Sequence, residues 1–256
     1  MHWDAAVFHW ERVQQGERSE VRSPESEIAT EARLAYARQA AEKINRELKQ
    51  GKSRWSVFLP RPPWAKPEML DLGSFYTRAL GEPVSKERGA ATFRSLPSGV
   101  QVLGGTGFDV RGVIQLSSTN SVTIPVGCAC ERVHFLHAAS QPPVAVREPA
   151  GVYQVTYANG FTAVVELSNP EHVRPYSAHQ FHALAPDPPT NAPPGLRSRL
   201  AWAGSSPGPE ERPMDLFLTR TTWELPASQR GQIIASLKLQ GGQAGSAPLI
   251  FAITVE

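Results

Sequence analysis

The chain has 256 residues, of which 41% are hydrophobic and 20% charged, and its formal net charge is +2. This length suits one large domain or two small ones. A charge so near zero creates no overall field to recruit nucleic acid or an anionic membrane, so we expect no nucleic-acid partner. The 23 Pro and 20 Gly residues favour many short strands joined by turns, with at least one proline-rich loop.

The N-terminal segment, residues 1–22, carries scattered aromatic residues without a sustained period, and we expect it to be weakly ordered. It has acidic residues around a short apolar patch and no basic start, so it does not resemble a signal peptide. No stretch approaches the roughly 20 apolar residues of a membrane span. The localisation stays open, and an extracytoplasmic or envelope setting fits if the chain is a fragment of a longer protein.

An amphipathic helix is predicted over residues 23–51. Ser23 and Pro24 suit the N-cap and the first helical position, and Gly51 suits the stop. An apolar stripe recurs at alternating steps of three and four residues, at Leu34, Ala37, Ala41, Ile44 and Leu48. The helix either packs against its own domain or binds a protein partner or another copy of the chain, and both interpretations stay open.

Residues 52–67 are rich in proline, and we predict an extended linker there. From residue 68 to 256 the sequence period changes to two, which predicts an antiparallel β-sandwich. The candidate strands are Leu72–Leu80, Thr92–Leu96, Val100–Leu103, Phe108–Ser117, Ser121–Val126, Arg132–His137, Val152–Tyr157, Phe161–Leu167, Leu200–Ala203, Met214–Thr221, Gln232–Leu239 and Leu249–Val255. Asn159 followed by Gly160 is a strong hairpin signal between two of them. The predicted fold class is therefore mainly β, a jelly-roll-like sandwich preceded by one α-helix.

One connection is much longer than the others. Residues 168–199 run through several prolines, and loops of this length are usually functional or disordered. Its aromatic and imidazole side chains are candidate ligand-binding residues: Tyr176, His179, Phe181 and His182. If residues 177–184 formed a helical turn, the two histidines would share a face and could bind zinc with a carboxylate. Histidines in a mobile polar loop are the alternative.

Other chemistry-bearing residues lie on predicted strands. Asp109 and Arg111 are two residues apart and therefore on one face, where they either pair with each other or bind a polar ligand. His134 and His137 are three apart and face opposite sides, so they cannot bind one metal and have structural roles. The two cysteines, Cys128 and Cys130, are interpreted as small buried hydrophobic residues, because no second pair at metal-ligand spacing accompanies them.

Catalytic signatures were also sought. The sequence has no G-x-S-x-G nucleophile elbow, no P-loop and no dinucleotide-binding fingerprint after a strand. The enzyme case is therefore weak, and no cofactor is expected. A structural calcium ion cannot be read from the sequence.

Six phrases resemble an uncharacterised bacterial β-sandwich module that is related to the galactose-binding-like jelly rolls. In chain order they are LDLGSFYTRAL (70–80), LPSGVQVLGGTGFDVRGVIQL (96–116), IPVGCACERVHFLHAA (124–139), YQVTYANG (153–160), TTWELP (221–226) and APLIFAITVE (247–256). Because the module is related to jelly rolls, the resemblance implies a jelly-roll fold. The module is found appended to sugar-processing, signalling and envelope-regulatory proteins. After the predicted hairpin the chain departs from the module, with VVELSNPEHVRPY (164–176), so a binding property in that loop is not carried over.

Three functions follow as expectations. The first is a non-catalytic module that binds carbohydrate or another polar envelope ligand. The second is an interaction or assembly protein that uses the helix over residues 24–50. The third is a metal-dependent hydrolase or lyase that uses His179 and His182.

Overall fold

The computed structural model describes residues 24–85, 90–140, 148–169, 171–177, 195–207, 213–242 and 247–256. The fold is mainly β, as the period-two pattern predicts. Its strands are β1 (Gly99–Leu103), β2 (Thr106–Val110), β3 (Ile114–Gln115), β4 (Ser121–Ala129), β5 (Arg132–Ala139), β6 (Glu148–Tyr157), β7 (Thr162–Asn169), β8 (Leu196–Pro207), β9 (Pro213–Glu224), β10 (Ile233–Gly241) and β11 (Pro248–Val255).

The predicted helix is present as α1 (Pro24–Lys49). It stops before Gly51, whose φ of 80° favours glycine and whose N–H donates to Leu48 O at 2.9 Å. The predicted N-cap, Ser23, lies outside the described residues. Over residues 29–49, where side chains are described, none is buried. By its internal contacts the chain divides into two units, residues 1–42 and 43–256, and α1 runs across this division.

The strands form two large antiparallel sheets and one hairpin. The four-stranded sheet has the order β4-β10-β6-β7, the five-stranded sheet has the order β3-β11-β5-β9-β8, and β1 pairs with β2. The hairpin predicted at Asn159–Gly160 joins β6 to β7, with Gly160 at a φ of 84°.

The main core lies between the two large sheets. Phe135 of the five-stranded sheet meets Tyr153 of the four-stranded sheet, with ring centroids 4.7 Å apart. Tyr153, Val155 and Tyr157 share the buried face of β6, as the hairpin pattern predicts. Each sheet alone would expose its apolar face to water. The two sheets bury these faces against each other, and this packing forms the sandwich.

A second core covers the other face of the five-stranded sheet. The β1–β2 hairpin contributes to it, together with Leu80, Val84, Ala91, Phe93 and Leu96 from the chain before β1. Phe93 contacts Phe251 of β11 with ring centroids 4.6 Å apart. Every residue of β11 is buried as a result. This strand therefore lies between two apolar layers, which explains its unbroken apolar sequence.

Two predicted strands, Leu72–Leu80 and Thr92–Leu96, are wrong. These residues form turns that pack on the sheet, and isolated bridges replace ladders. The first turn is set by Gly73, whose N–H donates to Asp71 Oδ1 at 3.0 Å. The alternation of apolar residues comes from side chains that enter the two cores, not from strand pairing. Leu72 and Tyr76 belong to the main core, and Leu80, Phe93 and Leu96 contribute to the second core.

The predicted strand Phe108–Ser117 is broken in two. Residues 111–113 separate β2 from β3. A Cβ at Gly112 would lie 2.6 Å from the ring of Tyr76, so glycine permits the close approach that bends the chain here.

Two predicted connections have different outcomes. Part of the 52–67 linker packs on the sandwich, since Val57 and Pro62 are buried. The long loop over 168–199 is shorter at both ends, because β7 reaches Asn169 and β8 begins at Leu196. Its middle, residues 178–194, lies outside the described residues. Of the helices described, none has the length and apolar character needed to cross a bilayer.

Candidate functional site

Asp109 and Arg111 form a buried ion network. Arg111 Nε donates to Asp109 Oδ2 at 2.9 Å, and its Nη2 contacts the carboxylate of Asp71. Arg61 approaches Asp109 Oδ2 at 3.3 Å and also donates to the carbonyls of Lys66 and Met69. Of the two interpretations of the Asp109–Arg111 pair, this geometry supports mutual pairing.

The electrostatics of this network follow from its burial. Desolvation raises the pKa of Asp109, although Arg111 and Arg61 act in the opposite direction. At Asp71, burial also acts to raise the pKa, but the hydrogen bond from Gly73 and the Arg111 guanidinium lower it overall. Asp109 Oδ1 is buried without a hydrogen-bond partner among the described residues. The network therefore connects the irregular segments that contain Arg61 and Asp71 to the end of β2, where Asp109 lies.

Tyr176 lies at a cleft of about 300 Å³ that we call the serine cleft. Its polar lining comprises Ser85, Gln115, Ser117, Ser118 and Ser140. None of the described residues that line it is charged. The cleft therefore places hydroxyl groups beside one aromatic ring, whereas the Gln115 amide is hydrogen-bonded to Arg78 and to Val84 O.

The ring of Tyr176 is positioned by its backbone and by the second core. Tyr176 N–H donates to Ala139 O at 3.1 Å, and its carbonyl accepts from Phe217 N–H at 2.8 Å. The ring meets Phe93 edge-on, with centroids 5.9 Å apart. The residue is partly exposed, so its ring is both fixed and accessible.

The other predicted loop residues, His179, Phe181 and His182, lie outside the described residues. They follow Ser177, the neighbour of Tyr176, within the same stretch of chain. The zinc hypothesis built on the two histidines stays a prediction. Within the described parts of the chain, no three His, Cys, Asp or Glu side chains are grouped to hold a metal ion.

The outer face of the four-stranded sheet lacks a stacking platform. Its middle row runs from Thr123 through Lys238 and Gln154 to Val164. No aromatic residue of these four strands points outward in the part that is described, because Tyr153 and Tyr157 are both buried. This face therefore does not provide the aromatic surface on which sugars stack.

His134 and His137 face opposite sides of β5, as their spacing predicts. His137 is fully buried and contacts Tyr153 Oη at 3.1 Å and Thr221 Oγ1 at 2.8 Å. Burial lowers the pKa of His137 to about 3. The side chain is therefore neutral at pH 7, and it connects the two sheets by hydrogen bonds.

His134 borders a second cleft, of about 440 Å³. Its Nε2 lies 2.9 Å from Glu256 Oε2 and its Nδ1 lies 2.9 Å from Thr222 Oγ1. Burial lowers the pKa of His134, against the hydrogen bond with Glu256, which acts to raise it. Both ring nitrogens are thus engaged by the protein itself, and this cleft is a weaker ligand site than its volume indicates.

The cysteine interpretation holds for one residue of the pair. Cys130 is buried, and this desolvation raises the pKa of its thiol to about 11. Cys128 is exposed, contrary to expectation. It lies on β4, which is the edge strand of its sheet, so a strand position alone does not cover its side chain.

Sequence reasoning missed one group of residues. Arg54, Trp55 and Arg94 line a third cleft, which the ion network approaches through Arg111. They come from two segments that are 40 residues apart and irregular in structure, so no spacing brings them together. The only local signal was the adjacent Arg-Trp pair at 54 and 55.

Comparisons with protein-family models, curated proteins and solved structures find no match, so the site has to be interpreted from its own geometry.

Proposed function

We propose that this chain is a non-catalytic binding module whose serine cleft takes a neutral carbohydrate. One observation carries the proposal: a fixed, partly exposed tyrosine lies beside a cleft whose described lining residues are uncharged and rich in hydroxyl groups. A sugar presents an apolar face and a rim of hydroxyls, which match an aromatic ring with polar neighbours. The volume of about 300 Å³ is at the lower end of ligand pockets and suits one or two sugar units.

The strand order adds support from architecture. We propose that the sandwich is a jelly roll related to the galactose-binding-like modules, as the resemblance in sequence implies. Consecutive strands from β3 to β6 alternate between the two large sheets, and so do β9, β10 and β11. Such alternation is expected when a long hairpin is wound into two Greek keys. Fold alone does not give function, so the proposal rests on the cleft.

Tyr176→Ala tests the proposal directly. We expect the full chain to bind a glycan on an array, with affinity confirmed by calorimetry. The variant should lose at least about fivefold in affinity, because stacking is worth about 1 kcal/mol or more. Phe161→Ala is the matched control, since Phe161 is 47% exposed and does not line the cleft. Ser118→Ala removes one hydroxyl from the cleft at an exposed position, and we expect weaker binding without a change in unfolding midpoint.

Two results would refute the carbohydrate proposal. One is the absence of binding to any glycan class by the wild-type chain. The other is equal glycan affinity for the wild type, Tyr176→Ala and Ser118→Ala.

We propose assembly through α1 as a second candidate function. Its apolar stripe includes Leu34 and Leu48, whose exposed fractions are 39% and 42%. A stripe at steps of three and four residues is the seam of a coiled coil, and another copy of the chain supplies the same seam. Light scattering should give a larger mass for the full chain than a monomer, and a monomeric mass for residues 52–256. A monomeric full chain at all concentrations excludes this function.

A further inference from the structure

The third cleft, which we call the arginine cleft, is formed by Arg54, Trp55, Arg94 and Arg111 with their neighbours, and its volume is about 170 Å³. A short 3₁₀ turn at Arg54–Ser56 presents the first two residues. The turn lies directly on Gly81, where a Cβ would be 2.7 Å from Trp55 Cβ and 2.8 Å from Trp55 O. Glycine at 81 therefore allows the turn to approach the residues that bring in Arg94.

The indole of Trp55 holds two guanidinium groups. Arg54 Cζ lies 4.3 Å and Arg94 Cζ 4.1 Å from the ring centroid. Cation–π contacts of this kind orient a guanidinium without using its N–H groups, which lie in the plane of the group. Arg94 Nε donates to Gly81 O at 3.4 Å. Both side chains are exposed, so the Nη groups of Arg94 and the guanidinium of Arg54 are the donors accessible to an acceptor in the cleft.

The charges in and below the cleft do not balance. Arg111 and Arg61 are matched by Asp109 and Asp71 in the buried network. Among the described residues, no carboxylate lies within 4.0 Å of Arg54 or Arg94. None of the described residues that line the cleft is acidic. Two positive charges are thus held together without a carboxylate partner in the part of the chain that the structure describes.

The size of the cleft restricts what can neutralise them. Its volume of about 170 Å³ equals that of about five or six water molecules, well below a drug-sized pocket. A small group with two negative charges and several acceptor oxygens fits both the volume and the charge. Guanidinium groups are well suited to such oxyanions, because their paired N–H donors match two oxygens of one phosphate.

We propose that the arginine cleft binds a phosphoryl oxyanion, either as free phosphate or as a phosphate monoester. The site shares none of its lining residues with the serine cleft, so either proposal can fail without the other. Arg54 and Arg94 donate to the oxyanion and Trp55 orients them, whereas Arg111 lines the cleft with its charge already matched by Asp109 and Asp71.

The test is a titration of the full chain at constant ionic strength, with inorganic phosphate, phenyl phosphate and acetate as probes. Calorimetry gives the affinity, and a ligand-dependent rise in the thermal unfolding midpoint gives an independent measure. We expect saturable binding of phosphate, and a loss of at least about tenfold in both Arg54→Gln and Arg94→Gln. Arg197→Gln is the matched control, because Arg197 is exposed and lies outside the cleft.

The two phosphate probes distinguish the source of the oxyanion. Tighter binding of inorganic phosphate supports the free ion, and tighter binding of phenyl phosphate supports a monoester. Three results overturn the proposal: no saturable binding of either phosphate probe, acetate binding as tight as phosphate binding, or unchanged phosphate affinity in Arg54→Gln and Arg94→Gln. Both arginines are exposed, and circular dichroism checks that the variants remain folded.

Discussion

At the scale of single residues, Asp109 shows how a buried charge connects distant parts of the chain. Only 1% of it is exposed, and it receives contacts from Arg111, which follows the same strand, and from Arg61 of the predicted linker. Buried ion pairs add little stability compared with apolar residues, but removal of one partner leaves an uncompensated charge. The main role of Asp109 is therefore to neutralise the buried charge of Arg111, whereas the attraction between the two groups adds little net stability.

Asp109→Ala should lower the free energy of unfolding by about 3–5 kcal/mol, because Arg111 would stay buried with its buried counter-charge removed. Asp71→Ala is the matched control. The Asp71 side chain is 55% exposed, so its loss should cost about 1 kcal/mol or less. Urea denaturation at pH 7 measures both values. Equal costs for the two variants would contradict the assignment of Asp109 as the central carboxylate.

His137 makes stability depend on pH. Its pKa is about 3 in the folded chain against an ordinary value of 6.5, so below pH 6.5 the unfolded state binds a proton that the folded state does not. The stability from neutral His137 is complete above pH 6.5 and falls as the pH decreases towards 3. The expected slope is about 1.4 kcal/mol per pH unit for one proton.

His137→Gln tests this linkage, because glutamine keeps a donor and an acceptor but does not titrate. Urea denaturation between pH 7 and pH 4.5 measures how the free energy of unfolding changes with pH. This slope should be smaller for the variant by about 1.4 kcal/mol per pH unit, the contribution of one proton. Contributions from His134 and the carboxylates occur in both proteins and cancel in the difference. The same slope in both proteins would exclude His137 as the linked group.

At the scale of elements, two glycines of β6 and its hairpin have different roles. Gly160 has a φ of 84° and no atom within 4 Å of the place where a Cβ would lie. Gly151 has ordinary backbone angles, but a Cβ there would lie 2.5 Å from Gln240 O of β10. The first glycine is required by conformation and the second by the spacing of two strands.

Alanine substitutions separate the two effects. Gly160→Ala should cost about 1–2 kcal/mol, the price of a left-handed conformation, and Gly160→Asn should cost less because Asn tolerates it. Gly151→Ala should cost about 1–3 kcal/mol through displacement of β10, and Asn at 151 should be worse still. Chemical denaturation provides the comparison. A milder effect for Asn than for Ala at position 151 would contradict this assignment.

At the scale of the whole molecule, the five-stranded sheet lies between two apolar layers. Its inner face packs on the four-stranded sheet. Its outer face is covered by the β1–β2 hairpin and by Leu80, Val84, Ala91, Phe93 and Leu96 of the chain before it. Residues 57–63 join this cover through Val57, Pro62 and Arg61. The cover is thus part of the folded unit and does not act as a separable linker.

Truncation tests this architecture. The chain over residues 52–256 should unfold in one cooperative transition, because it contains every residue of both cores. The chain over 99–256 keeps the β1–β2 hairpin but lacks the rest of the cover, which exposes apolar side chains such as Phe251. We therefore expect it to aggregate or to lose its cooperative transition. Calorimetry with light scattering measures both. A cooperative, monomeric 99–256 chain would show that the outer layer is dispensable.

The secondary structure of most segments could be predicted from the sequence alone. The stripe of α1, the Asn159–Gly160 turn and most strands of the two large sheets follow from periods and turn residues that act over a few positions. The opposite faces of His134 and His137, and the shared face of Asp109 and Arg111, follow from the alternation of a strand.

The packing of the irregular segments and the composition of the clefts could not be predicted from the sequence and were seen only in the folded structure. The segments over 72–80 and 92–96 carry a strand-like alternation, yet they cover a sheet, because the same apolar pattern arises wherever one side of a chain faces a core. The neighbours of Tyr176, and the meeting of Arg54 with Arg94 around Trp55, depend on chain segments that no spacing relates. Clefts are properties of packing between distant segments, whereas period and turn chemistry act over a few residues.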